Sequence, residues 1–164
     1  LGAAHAKKRA GNKIVTTAIE HPAVLNTMAQ LEKEGFEVVY VQPEADGNIP
    51  KEKFDAAIDA KTILVSVMAV NNETGVLLPL KDIAGMIKRK KTPALFHTDA
   101  VQGFLKVPFS AKTLGADMIV SQMYEKPGIT GLTVRAHDSK MNQTDYRHRQ
   151  ALSGAMGETV YEAI

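Results

Sequence analysis

Hydrophobic and polar positions along this chain alternate between two periods. Short apolar runs of strand length are separated by stretches in which apolar residues recur every three or four positions, the spacing of one helix face. Leu1 to Arg9 reads as the end of a helix, with Gly11-Asn12 as its stop signal. Lys13 to Ile19 is rich in β-branched residues and predicts a strand. Pro22 suits a first helical turn, where its missing N–H costs nothing, and Val24, Leu25, Met28 and Leu31 form an apolar stripe that ends at Gly35. Phe36 to Val41 is the next strand, closed by Pro43 and the turn Asp46-Gly47.

The same alternation continues. Pro50 opens a short helix carrying Phe54, Ala57 and Ile58. Thr62 to Val70 is almost wholly apolar, as expected of a central strand covered on both faces. Pro79 starts a helix with Leu80, Ile83, Ala84 and Ile87 on one side. Ala94 to His97 predicts a strand, Ser110 to Leu114 a short helix, and Asp117 to Ser121 and Gly131 to Arg135 two further strands. Helices between strands imply a mostly parallel sheet with right-handed crossovers. The expected fold class is α/β, a three-layer, doubly wound arrangement over residues 1–135. From about Ala136 the pattern degrades: residues 136–164 are expected to be a boundary or a poorly ordered tail.

Composition narrows the classes of function. At 164 residues the chain can enclose one real core, and 45% hydrophobic content is that of an ordinary globular protein. A net charge of +2 argues against nucleic acid or a membrane surface as partner. The densest basic run, Lys88-Arg-Lys-Lys91, falls at a predicted helix end, where cations complement the dipole. There is no cysteine, so disulfides, thiolate metal sites and cysteine nucleophiles are excluded within these residues. No apolar stretch approaches the ~20 residues of a membrane span, and the start lacks a signal-peptide hydrophobic region. The expected setting is cytoplasmic. Leu1 reads like the middle of a helix, so the chain is expected to be a piece of something longer.

Chemistry concentrates at two strand ends. Ile63 to Gly75 begins as a buried strand and finishes in Asn71-Asn-Glu-Thr-Gly75; Ala94 to Gln102 finishes in His97-Thr-Asp-Ala-Val-Gln102. Open α/β sheets bind ligands outside the carboxyl ends of their strands. Asp99 is costly at such a place unless it meets a cation or strong donors, although it could equally cap the following turn. Gln102, three residues on, can reach the same group. Asn72 sits in a stretch that could also be a plain turn, and His21, in Glu20-His-Pro-Ala, could be a capping residue. His21, Asn72 and Asp99 nonetheless fall at one edge of the predicted sheet. A planar aromatic cofactor would use the set well: His21 stacked on the ring, Asp99 on a protonated ring nitrogen, Gln102 or Asn72 on a phenolic oxygen. Those are the requirements of pyridoxal 5'-phosphate. The side chains are not spaced as metal ligands, and the serine elbow, Gly-x-Gly-x-x-Gly and Walker phosphate loops are all missing.

Four segments carry a resemblance: Thr17-Ala-Ile-Glu-His-Pro-Ala-Val-Leu25, Leu31-Glu-Lys-Glu-Gly-Phe-Glu-Val38, Asn71-Asn-Glu-Thr-Gly75 and His97-Thr-Asp-Ala-Val-Gln102. Together they resemble the class V aminotransferase group of fold-type-I pyridoxal enzymes, and within it the cysteine desulfurases, from Leu1 to about Arg135. The resemblance implies the large-domain core of such an enzyme. It makes His21 the ring-stacking and acid–base residue, Asp99 the pyridinium partner, and Asn72 and Gln102 contacts near the phenolic oxygen. It implies L-cysteine or a related amino acid as substrate and alanine as product. Sulfur would leave as a persulfide for scaffold or acceptor proteins of iron–sulfur or thiolation pathways, and the active sites would form in a homodimer. The related alternatives are a selenocysteine lyase or another class V aminotransferase; a catalytically dead domain kept for protein association is a third.

Three departures accompany the resemblance. Where the family has Ser-x-His-Lys, whose Lys forms the Schiff base, this chain reads Val120-Ser-Gln-Met-Tyr-Glu-Lys-Pro-Gly-Ile-Thr-Gly131. Lys126 is the only nearby lysine, and it aligns closer to the family's following Gly-Pro-Lys-Gly. The family's phosphate-binding Gly-Thr loop would precede Leu1. Its Arg-x-Gly-Thr element has Leu152-Ser-Gly-Ala155 as its nearest counterpart, without the Arg or the Thr.

Overall fold

The computed structural model describes residues 1–103, 106–107, 111–121 and 132–135. Along them run α1 (Gly2–Lys7), β1 (Lys13–Thr17), α2 (Pro22–Lys33), β2 (Glu37–Val41), α3 (Lys51–Ala57) and β3 (Thr62–Ser66). There follow α4 (Leu80–Arg89), β4 (Leu95–Asp99), α5 (Ala111–Leu114), β5 (Met118–Ser121) and β6 (Leu132–Arg135). The strands form one sheet in the order β2-β1-β3-β4-β5-β6. The first five are parallel, and β6 closes the sheet antiparallel to β5. The expected mostly parallel α/β layer is therefore observed, with an antiparallel strand at one edge. Residues 136–164 and Lys126 lie outside the described residues.

Each strand divides its side chains between two cores. Ile14 and Leu64 pack on one face with Ala4 of α1 and Met28 and Leu31 of α2. Val15, Val65, Phe96 and Ile119 pack on the other with Phe54 of α3, Ile83 and Met86 of α4 and Leu114. Three layers result, helices on both faces of a central sheet. Full burial of side chains such as Phe54, Phe96 and Leu31 stabilises by roughly 1.5–3 kcal/mol each. The pairing of β1 with β3 shifts register between Lys13 and Ile14, so Ile63 and its neighbour Leu64 both join the α1–α2 core. Gly11 lies against that irregularity: a Cβ there would stand 2.3 Å from the Lys61 carbonyl oxygen.

Three strand ends differ from the pattern-based expectation. The apolar run predicts a strand from Thr62 to Val70, but β3 ends at Ser66. Beyond it, Val67 and Ala69 still donate their amides to the carbonyls of His97 and Asp99 on the β4 side. On the β1 side the Met68 amide goes instead to a carboxylate, Oε1 of Glu20, at 2.9 Å. A side chain thus takes the place of the next ladder bond, and the two strands part there. Likewise β1 stops at Thr17 rather than Ile19, and β4 runs on to Asp99 rather than stopping at His97.

The strand order reverses between β1 and β3. From β1 the chain leaves through α2 toward β2 on one face; from β3 it leaves through α4 toward β4 on the other. Such a reversal opens a crevice at the carboxyl ends of the two strands, the general ligand position in open α/β sheets.

Candidate functional site

Four of the five sequence-derived candidates fall at this carboxyl edge. His21 follows β1 and is the N-cap of α2, its Nδ1 accepting the Ala23 amide at 3.2 Å. The capping role considered for it is realised. A neutral ring that accepts at Nδ1 carries its proton on Nε2, which stays available to a ligand. Asp99 is the last residue of β4; its Oδ1 accepts the Val101 amide at 2.9 Å, so it too caps the turn that follows. Among the described residues no donor or cation engages its Oδ2. Gln102 accepts from Lys106 Nζ at 3.2 Å through Oε1, which leaves its amide N–H groups for an acceptor such as a phenolic oxygen. Asn72 is exposed and makes no hydrogen bond among the described residues. No hydrogen bond joins any two of these four.

A cavity of about 400 Å³ lies between the sheet and helices α1 and α2. Its walls are mostly apolar (Leu1, Val24, Met28, Leu64, Met118), and Thr27, Ser66, His97 and Asp99 are its polar lining residues. His97 and Asp99 are two apart on β4 and so share one face. The Ser66 hydroxyl meets His97 Nδ1 at 2.8 Å across the β3–β4 pair. Burial pulls the His97 pKa below its ordinary value, a fall that the Asp99 carboxylate partly opposes. A neutral His97 leaves Asp99 without a cation among the described residues.

Two residues that the sequence analysis did not single out hold the edge together. Glu20 is 4% exposed. Its Oε1 accepts the Thr17 hydroxyl at 2.7 Å and the Met68 amide at 2.9 Å, joining the end of β1 to the end of β3. Its Oε2 is buried without a partner among the described residues. Burial, aided by repulsion from Asp99 and opposed by its two hydrogen bonds, pushes the Glu20 pKa up to about 7. Asn71, also buried, donates Nδ2 to the Ile19 carbonyl at 2.9 Å and accepts the Glu73 and Thr74 amides and the Thr74 hydroxyl at Oδ1. It ties the loop bearing Asn72 to the segment bearing His21. The available signal was a polar residue directly after a predicted strand run, Glu20 after Ile19 and Asn71 after Val70.

The donor set fits a protonated heteroaromatic ring: a carboxylate with a free oxygen at a strand end, beside an apolar cavity that a neutral His97 does not charge. Among the described residues no group of three or more His, Cys, Asp or Glu is placed to hold a metal ion. No helix among them is long and apolar enough to cross a membrane.

Comparison with known proteins gives this geometry its family. The aminotransferase class-V model matches residues 1–161, and the chain belongs to that family. It is 45% identical over 136 residues to the cysteine desulfurase IscS of Glaesserella parasuis serovar 5 (strain SH0165), an alignment covering 81% of this chain and 33% of that protein. The cysteine desulfurase IscS of Haemophilus influenzae (strain PittGG) is also 45% identical, over 137 residues, covering 82% of this chain and 33% of the relative. Among solved structures, a NifS-like protein superposes with a TM-score of 0.69 at 39% identity, covering 73% of this chain and 33% of its own. A structure described as SspA in complex with cysteine superposes at 0.67 with 35% identity, covering 73% and 34%. The chain spans about a third of the length of the curated relatives it matches. Enzymes of this family work with pyridoxal phosphate.

Proposed function

We propose that this chain is part of a pyridoxal-phosphate-dependent cysteine desulfurase, contributing the ring-holding half of the site. Asp99 carries the reading: a carboxylate at the end of a central parallel strand, over an apolar cavity, with one oxygen that no described residue engages and that could meet a protonated ring nitrogen. Similarity to relatives named cysteine desulfurases supports the substrate, L-cysteine, and the route of its sulfur to an acceptor or scaffold protein. A selenocysteine lyase would use the same edge. We place the parent protein in the cytoplasm as a homodimer, with residues 1–135 as part of its large domain.

The division of labour follows from the residues. Asp99 would hold the ring nitrogen protonated, His21 would lie against the ring and exchange a proton through Nε2, and Asn72 and Gln102 would donate to the phenolic oxygen. The cofactor supplies an electron sink for negative charge developing at the amino acid's α-carbon. The apolar cavity wall lowers the polarity beside Asp99 and so strengthens its attraction for a cation. Lys126 is the proposed linking lysine by proximity in sequence.

A second reading, an inactive domain retained for association, is favoured by the missing His-Lys pair. Titration with pyridoxal phosphate, borohydride reduction and peptide mapping separate the two. An absorbance band near ~420 nm and label on Lys126 are expected of an enzyme whose lysine links the cofactor. Saturable binding without label leaves a ring-holding domain only. The Asp99→Asn variant keeps the cap but loses the charge, and is expected to weaken binding at least about tenfold, the cost of one charge-assisted hydrogen bond. Binding indifferent to that substitution would refute the role of Asp99.

A further inference from the structure

We infer that Glu20 is the positioning residue of this edge, a buried acid that clamps the ends of β1 and β3 in its neutral form and so leaves Asp99 as the anion facing the ligand. The assignment of a ligand to Asp99 rests on the function proposed above; the clamp itself rests on geometry alone.

Glu20 stands where the strand order reverses. There β1 and β3 can no longer bond to each other, because their continuations depart to opposite faces of the sheet. Backbone groups at such a parting need other partners, since a buried unpaired N–H is costly. Glu20 Oε1 supplies one to the Met68 amide and accepts the Thr17 hydroxyl with its second lone pair. Those two bonds use one oxygen. The other, Oε2, is buried and meets no donor among the described residues. An ionised carboxylate would leave half of its charge unsolvated there, whereas a proton on Oε2 removes the charge and leaves Oε1 free to accept both bonds.

The surrounding charges act in the same direction. Asp99, at the end of β4, repels an ionised Glu20. His21 is next in sequence, but its ring is turned to cap α2. β1 and β3 bring no charged side chain to their carboxyl ends, which finish in Thr17 and Ser66. No ion pair among the described residues includes Glu20. A neutral clamp has a consequence for the ligand. Two ionised carboxylates here would attract any small cation; one, set against an apolar cavity, selects a cation carried on an apolar ring.

The experiment compares the 164-residue chain with its Glu20→Gln and Glu20→Ala variants. Glutamine keeps an acceptor for Thr17 and Met68 and cannot ionise. Urea unfolding is measured from pH 5 to pH 8 without ligand. A group whose proton is held more tightly in the folded state contributes stability that is lost as pH rises through its folded value. The ratio of wild-type to Glu20→Gln folding constants is therefore expected to fall on the order of 50- to 100-fold across that range. His97 titrates in both proteins and cancels in the ratio. Glu20→Ala is expected to be less stable than Glu20→Gln at every pH. A ratio independent of pH, or a glutamine variant no better than alanine, overturns the inference without reference to any cofactor. In a second arm, binding of pyridoxal phosphate at pH 6 is expected to be within about twofold of wild type in Glu20→Gln and at least tenfold weaker in Glu20→Ala, the scale of a lost hydrogen-bonded support. Equal binding by all three overturns the positioning role. Absence of binding by all three, with the pH-dependent ratio intact, refutes the cofactor reading and leaves the clamp standing.

Discussion

Asn71 and Asn72 are adjacent and chemically identical, yet the structure gives them opposite jobs, and this contrast yields a sharp test. Asn71 is 5% exposed and spends its whole amide on neighbours. Nδ2 reaches the Ile19 carbonyl, and Oδ1 gathers the amides of Glu73 and Thr74 at 3.0 and 2.9 Å with the Thr74 hydroxyl at 3.1 Å. Replacing Asn71 with alanine deletes these four bonds, each worth roughly 0.5–1.5 kcal/mol net, together with a weaker Nδ2 contact to Met68 Sδ at 3.5 Å. Glu73 and Thr74 are exposed, so water recovers part of what their groups lose, whereas the Ile19 carbonyl sits deeper. A loss of about 2–3 kcal/mol follows. Asn72→Ala removes an exposed side chain with no partner among the described residues and should stay within about 0.5 kcal/mol of the parent. Equilibrium urea unfolding at pH 7 measures both. With a slope of about 1–3 kcal/mol/M, the Asn71 variant should lose roughly 0.7–3 M in midpoint. If the two alanine variants unfold at the same midpoint, the tie between the β3 loop and the His21 segment is not what holds this edge.

Two further predictions concern the opposite end of the sheet. Gly11→Ala would push a Cβ to 2.3 Å from the Lys61 carbonyl oxygen and 2.9 Å from Ile63 Cγ2, so the backbone must move; a loss of about 1–3 kcal/mol in urea unfolding is expected, and a neutral outcome would show that the β1–β3 irregularity is soft. Lys13, nearly buried, donates to Asp59 Oδ2 at 2.7 Å and holds the Asp59 carboxyl below the usual carboxylate range. That contribution is complete above the unfolded value and is lost as pH falls through the folded one, so Asp59→Asn should flatten the acid limb of a stability–pH curve; an unchanged acid limb would refute the pairing.

The architecture was legible because its signals are local. Apolar runs bounded by Gly11-Asn12, Gly35 or Asp46-Gly47 mark strands and helices with little help from tertiary contacts, and Pro22 and Pro79 flag helix starts within one residue. Asp99 was visible for a similar reason, as a carboxylate after apolar residues that can only be a strand. The end of β3 was not. Val67 to Val70 are as apolar as the strand before them, and what ends the pairing is a carboxylate 48 residues away in sequence, taking the Met68 amide. Turn propensity cannot tell Asn71 from Asn72 either, because it describes the loop and not which amide faces the Ile19 carbonyl. Sheet order was likewise beyond reach: an apolar run marks a strand without naming its neighbours, which are set by the crossovers.

The two ends of the sheet are held by different physics, and the difference bears on why the candidate site lies where it does. At the amino end the strands stay paired and close-packed; Gly11 allows backbones to approach, and Lys13 reaches outward to a half-exposed Asp59. Little space is left there for a ligand. At the carboxyl end β1 and β3 separate because α2 and α4 must depart to opposite faces, so apolar packing cannot seal the gap. It is spanned by Glu20 and Asn71 through hydrogen bonds to backbone groups that have lost their ladder partners. Hydrogen bonds of this kind fix positions tightly while filling little volume. They can therefore brace His21 and the loop carrying Asn72 without filling the cavity beside Asp99. Rigid polar bracing next to an unfilled apolar cavity is what a flat, charged ring requires, and the topology of the sheet produces it at this edge.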